Sequence, residues 1–386
     1  MATVLQCSGN GRKYYEHGPS GSKWGVGAAG CVMWSGVPLR KVVEHLGGVK
    51  RGMRYLTTTG GEPLPAGVDR NAVIVERSIP IEKALDDCFL AWEMNGEPIP
   101  RSHGGPLRLI VPGYFGCNQI KFVKQLAFTK EQGPAKIQQT GYRMRPIGVK
   151  GKPDQPAMWT MPVKSFITLP TDRTPVVEGT VRVTGVAWGG ASPVLKVEVS
   201  TDGKRWRNAR FVGPDLGRYA WRVFELEIER SPGPVELYSR ATNAAGEVQP
   251  EHRNENERGY GNNSWRDMGV TVEVCTAGAA ACLTPPPEES DQPRGPKKPV
   301  VLSESGKRGR KLFTQTAPPP CSTCHSLSDA GAIAEVGPNL DDLAPSFEQV
   351  KAAVTNGVGA MPPFGESMTA DQIQDVARYV HEATRR

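Results

Sequence analysis

Cys321-Ser-Thr-Cys324-His325 is the most informative stretch of the chain. Two thiols two residues apart, with a histidine directly after the second, form the C-x-x-C-H pattern of covalent haem attachment. The thiols make thioethers with the porphyrin vinyls, and the adjacent imidazole reaches the iron from one side. Half a zinc site would need a second cysteine pair downstream, and the sequence has none. A redox C-x-x-C belongs beside a βαβ pattern, whereas this region is helical. Asp371-Gln-Ile-Gln-Asp-Val-Ala-Arg-Tyr-Val380 puts Ile373, Val376, Ala377 and Val380 on one helix face, with Thr369 as the cap.

Two further stretches flank this reading: Gly337-Pro338-Asn339-Leu340 and Gly359-Ala-Met361-Pro-Pro-Phe364. With the terminal helix carrying Tyr379, residues 300–386 resemble class I cytochrome c. That resemblance implies His325 and Met361 as axial iron ligands, with Pro338 supporting the histidine side. Met368 is the rival ligand, and a core methionine is the plain alternative for Met361. A thioether opposite a histidine raises the haem potential, which suits an electron acceptor.

Upstream, residues 276–300 form a proline-rich linker, semi-extended where prolines cluster. Before it, from about residue 166 to 275, short alternating strands recur, as in Thr180–Trp188, Val194–Ser200 and Trp221–Ile228. Turns at Asp202-Gly203 and Ser231-Pro-Gly-Pro234 separate them, which argues for an antiparallel sandwich. Residues 1 to about 155 mix strands and helices. Ala72–Arg77 is β-like, Ile81–Asp87 has helical spacing, and Leu107–Val111 reads as a buried strand. The segment 130–165 reads as a long irregular connection.

The whole chain has 386 residues, which corresponds to about two to three domains. Glycine (44) and proline (34) favour strands and turns over long helices. No apolar run is long enough for a membrane span. The net charge of +7 is scattered, with one dense run at Gly306–Lys311, so a nucleic-acid footprint is not expected. A small anionic substrate or an acidic partner fits better. The opening Met-Ala-Thr-Val-Leu-Gln-Cys7 lacks a secretory signal and reads as mid-strand, so the expectation is a chain that starts after its true beginning.

Six blocks carry a second resemblance. They are Leu5-Gln-Cys7-Ser-Gly-Asn10-Gly-Arg12, Trp34–Arg40, Ser78–Ile81, Ala91–Arg108, Val111-Pro-Gly113 leading to Lys121, and Arg258-Gly-Tyr-Gly-Asn-Asn-Ser-Trp265. In this order, residues 1–275 resemble the sulfite oxidase family of molybdopterin enzymes. The resemblance implies that Cys7 is the thiolate ligand of molybdenum, a soft donor suited to a metal held mainly by sulfur and oxo groups. It implies that His103, Arg108 and Lys121 contact the pterin and its phosphate. Arg12 and Arg258 would line an anion pocket with Trp24 as a wall. Where the family usually has a tyrosine this chain has Trp92, and the expectation is that a pocket arginine and pterin contacts, which in the family lie upstream of the cysteine, fall outside this sequence.

The expected organisation is multi-domain. It comprises an α+β sulfite-oxidase-type molybdopterin domain over 1–155, an all-β immunoglobulin-like dimerisation sandwich over 156–275, the linker 276–300, and an all-α cytochrome c domain over 301–386. The implied activity is sulfite dehydrogenase: sulfite and water give sulfate, two protons and two electrons, and the electrons leave through haem c to a soluble cytochrome c or similar acceptor. The linker keeps the haem at high effective concentration near the molybdenum. A homodimer in the periplasm is implied. The alternatives are a related enzyme acting on sulfane sulfur or sulfoxides, a haem electron carrier with an inactive molybdenum domain, and an adhesion-type binding protein. Cys31, Cys88 and Cys117 are expected in the core, and Cys275 and Cys282 could form a disulfide.

Overall fold

The protein is described by a computed structural model covering residues 1–386 except 63, 65–68, 173, 175, 279–299, 334–336, 359–360 and 386. In the first part, the strand Ala2–Gln6 pairs antiparallel with Ala29–Pro38, which pairs with Phe89–Met94, which in turn pairs with Arg108–Ile110. A second sheet orders Glu76–Pro80, Tyr55–Gly60 and Val123–Thr129. Leu39, Leu56, Ile79, Ala84, Leu90, Leu109 and Val111 fill the core between strands and the short helices Leu39–His45 and Ile81–Asp86. Both sheets are antiparallel and mixed with helices, as an α+β reading requires.

The β-like stretch at Ala72–Arg77 divides in two. Asp69 accepts a hydrogen bond from the Asn71 amide and starts one turn of helix, Arg70–Val73, and the strand begins only at Glu76. A local side-chain cap here overrides the apolar run.

The next part is a sandwich of two sheets, antiparallel apart from a short parallel pairing of Val176–Val177 with Val274 and Cys275. One orders Arg210–Val212, Arg222–Arg230, Gly179–Trp188 and Lys164–Leu169; the other contains Gly233–Asn243, Val194–Ser200 and Val270–Cys275. Val181 and Val183 point inward and Arg182 outward, so the period of two aims one face at Val197, Leu237, Phe224 and Val272. Cys275 at the end of this region is disulfide-bonded, while the expected partner Cys282 and most of the linker lie outside the described residues.

The last part is built on the helices Glu304–Lys311, Phe347–Asn356 and Ala370–Thr384. Thr369 caps the terminal helix in a capping box with Gln372, and Ile373, Val376, Ala377 and Val380 are all buried. The first and last helices meet at Gly309, where a side chain would collide with the Asp375 carbonyl, so only glycine lets the backbones touch. The dense basic run lies on this first helix. Arg308 grips Asp375 with two hydrogen bonds of 2.7 and 2.8 Å, and Arg310 lies 3.4 Å from Asp329. A short two-stranded pair, Ser326–Leu327 with Ala332–Ile333, sits beside the helices.

Candidate active site and haem cavity

Cys7 sits just past the first strand, at the head of a tight loop. Its amide donates to the Ala28 carbonyl at 3.0 Å, its carbonyl accepts from Asn10 at 3.0 Å, and the Gly9 amide lies 3.4 Å from its Sγ. The loop closes at Gly11, with φ of 95°, whose carbonyl accepts from the Asn262 side chain at 3.0 Å. The Ser8 carbonyl accepts from Gly261 at 2.8 Å. The block 258–265, from the far side of the sandwich, thus braces the cysteine loop, and Lys164 bonds the carbonyls of both Asn10 and Asn262.

Arg12 is buried in this loop. Its Nε donates to the Arg258 carbonyl at 2.9 Å and its Nη1 to the Ser22 carbonyl at 2.8 Å. The guanidinium presses so closely on Gly9 and Gly21 that a Cβ at either would collide with it. Arg258 is also buried, and both guanidiniums lie over the Tyr260 ring, at 5.4 and 5.6 Å from its centroid. Burial lowers the pKa of Arg12; Tyr260 opposes the shift, Arg258 adds to it, and Cys7 opposes it. Burial, then Arg258, likewise pulls Lys136 down to about 8 and Arg145 below its usual range.

A second cationic group lies on the strand Arg108–Ile110 and its flanks. Arg108 donates to the His103 carbonyl at 2.8 Å, and the Lys121 ammonium donates to the Ser102 carbonyl at 2.8 Å. Burial holds the Arg108 guanidinium at about 10, and Lys121 is lowered by burial and by Arg108. The structure therefore brings His103, Arg108 and Lys121 together, with the His103 side chain exposed.

Whether these residues suit a molybdenum–pterin group is decided by what they lack. Both amide atoms of Gln6 and of Asn10, the Nε of Arg108 and of Arg258, and Nη1 of Arg145 are buried without a hydrogen-bond partner. Buried donors left unpaired are costly. An anionic group with many acceptors beside Cys7 would satisfy the nitrogen donors among them, and a pterin, which also carries N–H donors, suits the two amide oxygens, so the residues fit. Among the described residues no group of three or more His, Cys, Asp or Glu side chains is placed to hold a metal ion.

Two expectations change. Trp92 is exposed and does not reach the cysteine. It lies between Ala91 and Glu93, which pair with Gly36 and Ser35, whereas the cysteine end of the sheet pairs Gln6 with Ala29. That separation along the strand is about 20 Å. The tyrosine beside the cysteine is instead Tyr142, in the segment read as an irregular connection. It stacks on Tyr260, with centroids 5.4 Å apart and planes at 16°, and lies over Arg77. Burial raises its hydroxyl pKa, with Tyr260, Cys117 and Cys7 adding to the shift. Trp24 is exposed on the loop that supplies the Ser22 carbonyl to Arg12. Of the cysteines expected in the core, Cys88 is buried, while Cys31 and Cys117 are only half-buried because they edge the site cluster around Phe115 and Tyr260.

The segment 130–165 is also far from a plain connection. Arg143 and Gln138 are buried, and Arg143 binds the Gln138 and Gln155 carbonyls. Gly141-Tyr-Arg-Met-Arg-Pro146 interleaves cations with an aromatic ring, the signal that marks it as more than a loop.

In the last part, His325 is buried and its Nδ1 lies 3.0 Å from the Pro338 carbonyl. A carbonyl only accepts, so Nδ1 carries the proton and the Nε2 lone pair is left for a metal. Gly337 lies flat on the ring, where a Cβ would collide with it. Cys321, His325, Pro338 and Met361 line a cavity of about 460 Å³ with Phe313, Leu340 and Val354. The same four, with Cys324, also line an adjoining space of about 260 Å³. Apolar walls with one imidazole, two thiols and one thioether suit a haem. Met368 lies in the hydrophobic core instead. Two groups of the first part also reach these spaces: Gly21, Ser22 and Lys23 the larger, Val73 and Tyr142 the smaller.

Residues 1–137 match the oxidoreductase molybdopterin binding domain, residues 155–273 the Mo-co oxidoreductase dimerisation domain, and residues 304–380 the cytochrome C oxidase, cbb3-type, subunit III family. Sulfite oxidase of Gallus gallus is 33% identical over 268 residues, covering 65% of this chain and 57% of that protein. The chain thus spans little more than half of that relative. Sulfite oxidase of Arabidopsis thaliana is 31% identical, covering 69% of this chain and 74% of that protein. Among solved structures, the sulfane dehydrogenase SoxCD from Paracoccus pantotrophus aligns with a TM-score of 0.59 and 30% identity, covering 71% of each chain. The chain belongs to the sulfite oxidase family of molybdopterin oxidoreductases and joins its two family domains to a C-terminal cytochrome c region.

Proposed function

We propose that the chain is a sulfite dehydrogenase whose molybdopterin region, 1–155, passes electrons to the cytochrome c region, 301–386, with 156–275 as the dimerisation sandwich and 276–300 as the tether. In this reading Cys7 holds molybdenum, Cys321 and Cys324 carry the haem, and His325 and Met361 are its axial ligands. The molybdenum–pterin group supplies two-electron oxygen transfer, and the haem supplies one-electron exit.

The protein's own part is charge and position. Arg12 and Arg258 present two buried guanidiniums to a small dianion, whose oxygens would complete the unpaired Arg258 Nε. Tyr142, held protonated by burial, is a hydroxyl donor beside Cys7. His103, Arg108 and Lys121 receive the phosphate end of the pterin. The observation that carries the proposal is the place of Tyr142. It neighbours Cys7 and Arg258 and also lines the space shared by Cys321, His325 and Met361.

The final acceptor is a soluble cytochrome c or similar carrier, the oligomer a homodimer, and the compartment the periplasm, where covalent haem is attached. Among the described residues no helix is long and apolar enough to cross a membrane. Metal analysis tests the cofactor assignment: molybdenum and iron in equal amounts are expected. Iron without molybdenum would leave an electron carrier with an inactive domain.

The likeness to a sulfane dehydrogenase favours one second reading, a substrate carrying sulfane sulfur. Turnover of a persulfide substrate with none of sulfite would select it.

A further inference from the structure

The loop that carries Tyr142 also carries Lys136, whose ammonium donates to the Met361 carbonyl at 2.8 Å. The base of this lysine is fixed. The Ile137 carbonyl accepts from Arg77 at 2.6 Å, the Gln138 carbonyl from Arg143 at 3.0 Å, and the Gln138 side chain from the Ser78 amide at 3.0 Å. Ile137 and Gln138 are buried. The receiving side is shaped to match. Gly357 ends the helix Phe347–Asn356 with φ of 68°, and a Cβ there would collide with both the Lys136 ammonium and the Met361 carbonyl. The slot is open only because the residue is glycine. The Met361 carbonyl also accepts from Val358 at 3.2 Å, a long bond that leaves it room for a second donor.

This placement is electrostatically uphill, since the lysine is partly buried and faces the cation of Arg258. An ammonium in such surroundings needs a strong acceptor, and the one it has belongs to the other region of the chain. We propose that Lys136 is a positioning residue that seats the cytochrome region on the molybdopterin region, its ammonium filling the Gly357 slot and holding the Met361 loop against Tyr142. The inference rests on the haem reading of residues 301–386 and on Met361 facing the haem cavity.

The test compares the full, haem-loaded chain with its Lys136→Met variant by hydrogen exchange without substrate, then by the rate of haem reduction after mixing with sulfite. The first readout needs no turnover, so failure of the sulfite assignment leaves it intact. In K136M the amides of Val358, Met361, Phe364 and Gly365 should exchange about tenfold faster, as expected on loss of one charged hydrogen bond. The helix Ala370–Thr384 should stay protected. Haem reduction should slow about tenfold and become sensitive to solvent viscosity, and Lys136→Arg should restore both. Lys136→Gln, shorter but polar, should behave as K136M and serves if the methionine variant loads haem poorly. Exchange at Val358, Met361, Phe364 and Gly365 equal to that of the unmodified chain overturns the proposal. So does faster exchange that spreads through Ala370–Thr384, or faster exchange with an unchanged reduction rate.

Discussion

Tyr142 and Tyr260 stack at 5.4 Å with their planes 16° apart, and this pair links the two redox-bearing parts of the chain. Tyr260 lies beneath Arg12 and Arg258, while Tyr142 opens onto the space lined by Cys321, His325 and Met361. The buried cations Arg12 and Arg258 and the cavity beside His325 therefore share one aromatic wall.

Arg258→Gln removes one of the two buried guanidiniums proposed to face the substrate. The KM for sulfite should rise about ten- to hundredfold, with a smaller change in kcat, because the lost interaction is made to the bound anion. Steady-state kinetics with sulfite checks this, and an unchanged KM would remove Arg258 from the pocket.

Tyr142→Phe keeps the ring stack and deletes only the hydroxyl. The rate of haem reduction by sulfite should fall about tenfold or more, while thermal stability changes by less than about 1 kcal/mol. Stopped-flow spectroscopy beside a melting curve separates the two effects. Trp92→Phe, on the exposed strand face, should leave the rate unaltered.

Met361→Ala should lower the haem potential, because a thioether ligand is lost. Met368→Ala should instead cost about 2–5 kcal/mol of stability as a buried truncation, with the potential little changed. Redox titration of both variants decides between the two methionines.

The ion pair between Arg308 and Asp375 should make the cytochrome region acid-sensitive. Arg308 and Ser305 hold the Asp375 carboxyl below its usual pKa. A carboxylate depressed in the fold contributes stability above its unfolded pKa of about 4, and that stability is lost as the pH falls through the folded value. Asp375→Asn should therefore lower the melting temperature by several degrees at pH 7, and the gap to the unmodified chain should close below about pH 4. A gap independent of pH would mean that packing at Gly309, rather than charge, sets the difference.

Much of this was legible in the sequence because it is local. Cys321, Cys324 and His325 lie within five residues, and the terminal helix announces itself through Thr369 and its apolar face. The alternation of Val181 and Val183 with Arg182 gives the sandwich its strands. The site tyrosine was not legible in the same way. Tyr142 meets Cys7 only because the chain returns across the sheet, and no periodicity marks a residue in an irregular segment. Trp92 misled because a block similarity says nothing about how far along the sheet a residue lies from the cysteine. The helical turn Arg70–Val73 was hidden because its cause is a single side-chain hydrogen bond from Asp69. The Lys136 contact depends on two distant segments meeting, which local pattern does not encode.

The most direct test of the central claim is to add sulfite without oxygen to the oxidised protein loaded with both cofactors, and to follow the visible bands of the haem. The account predicts that sulfite alone reduces the haem, with sulfate formed and no added mediator. A haem that stays oxidised under sulfite, yet is readily reduced by a chemical reductant, would contradict it.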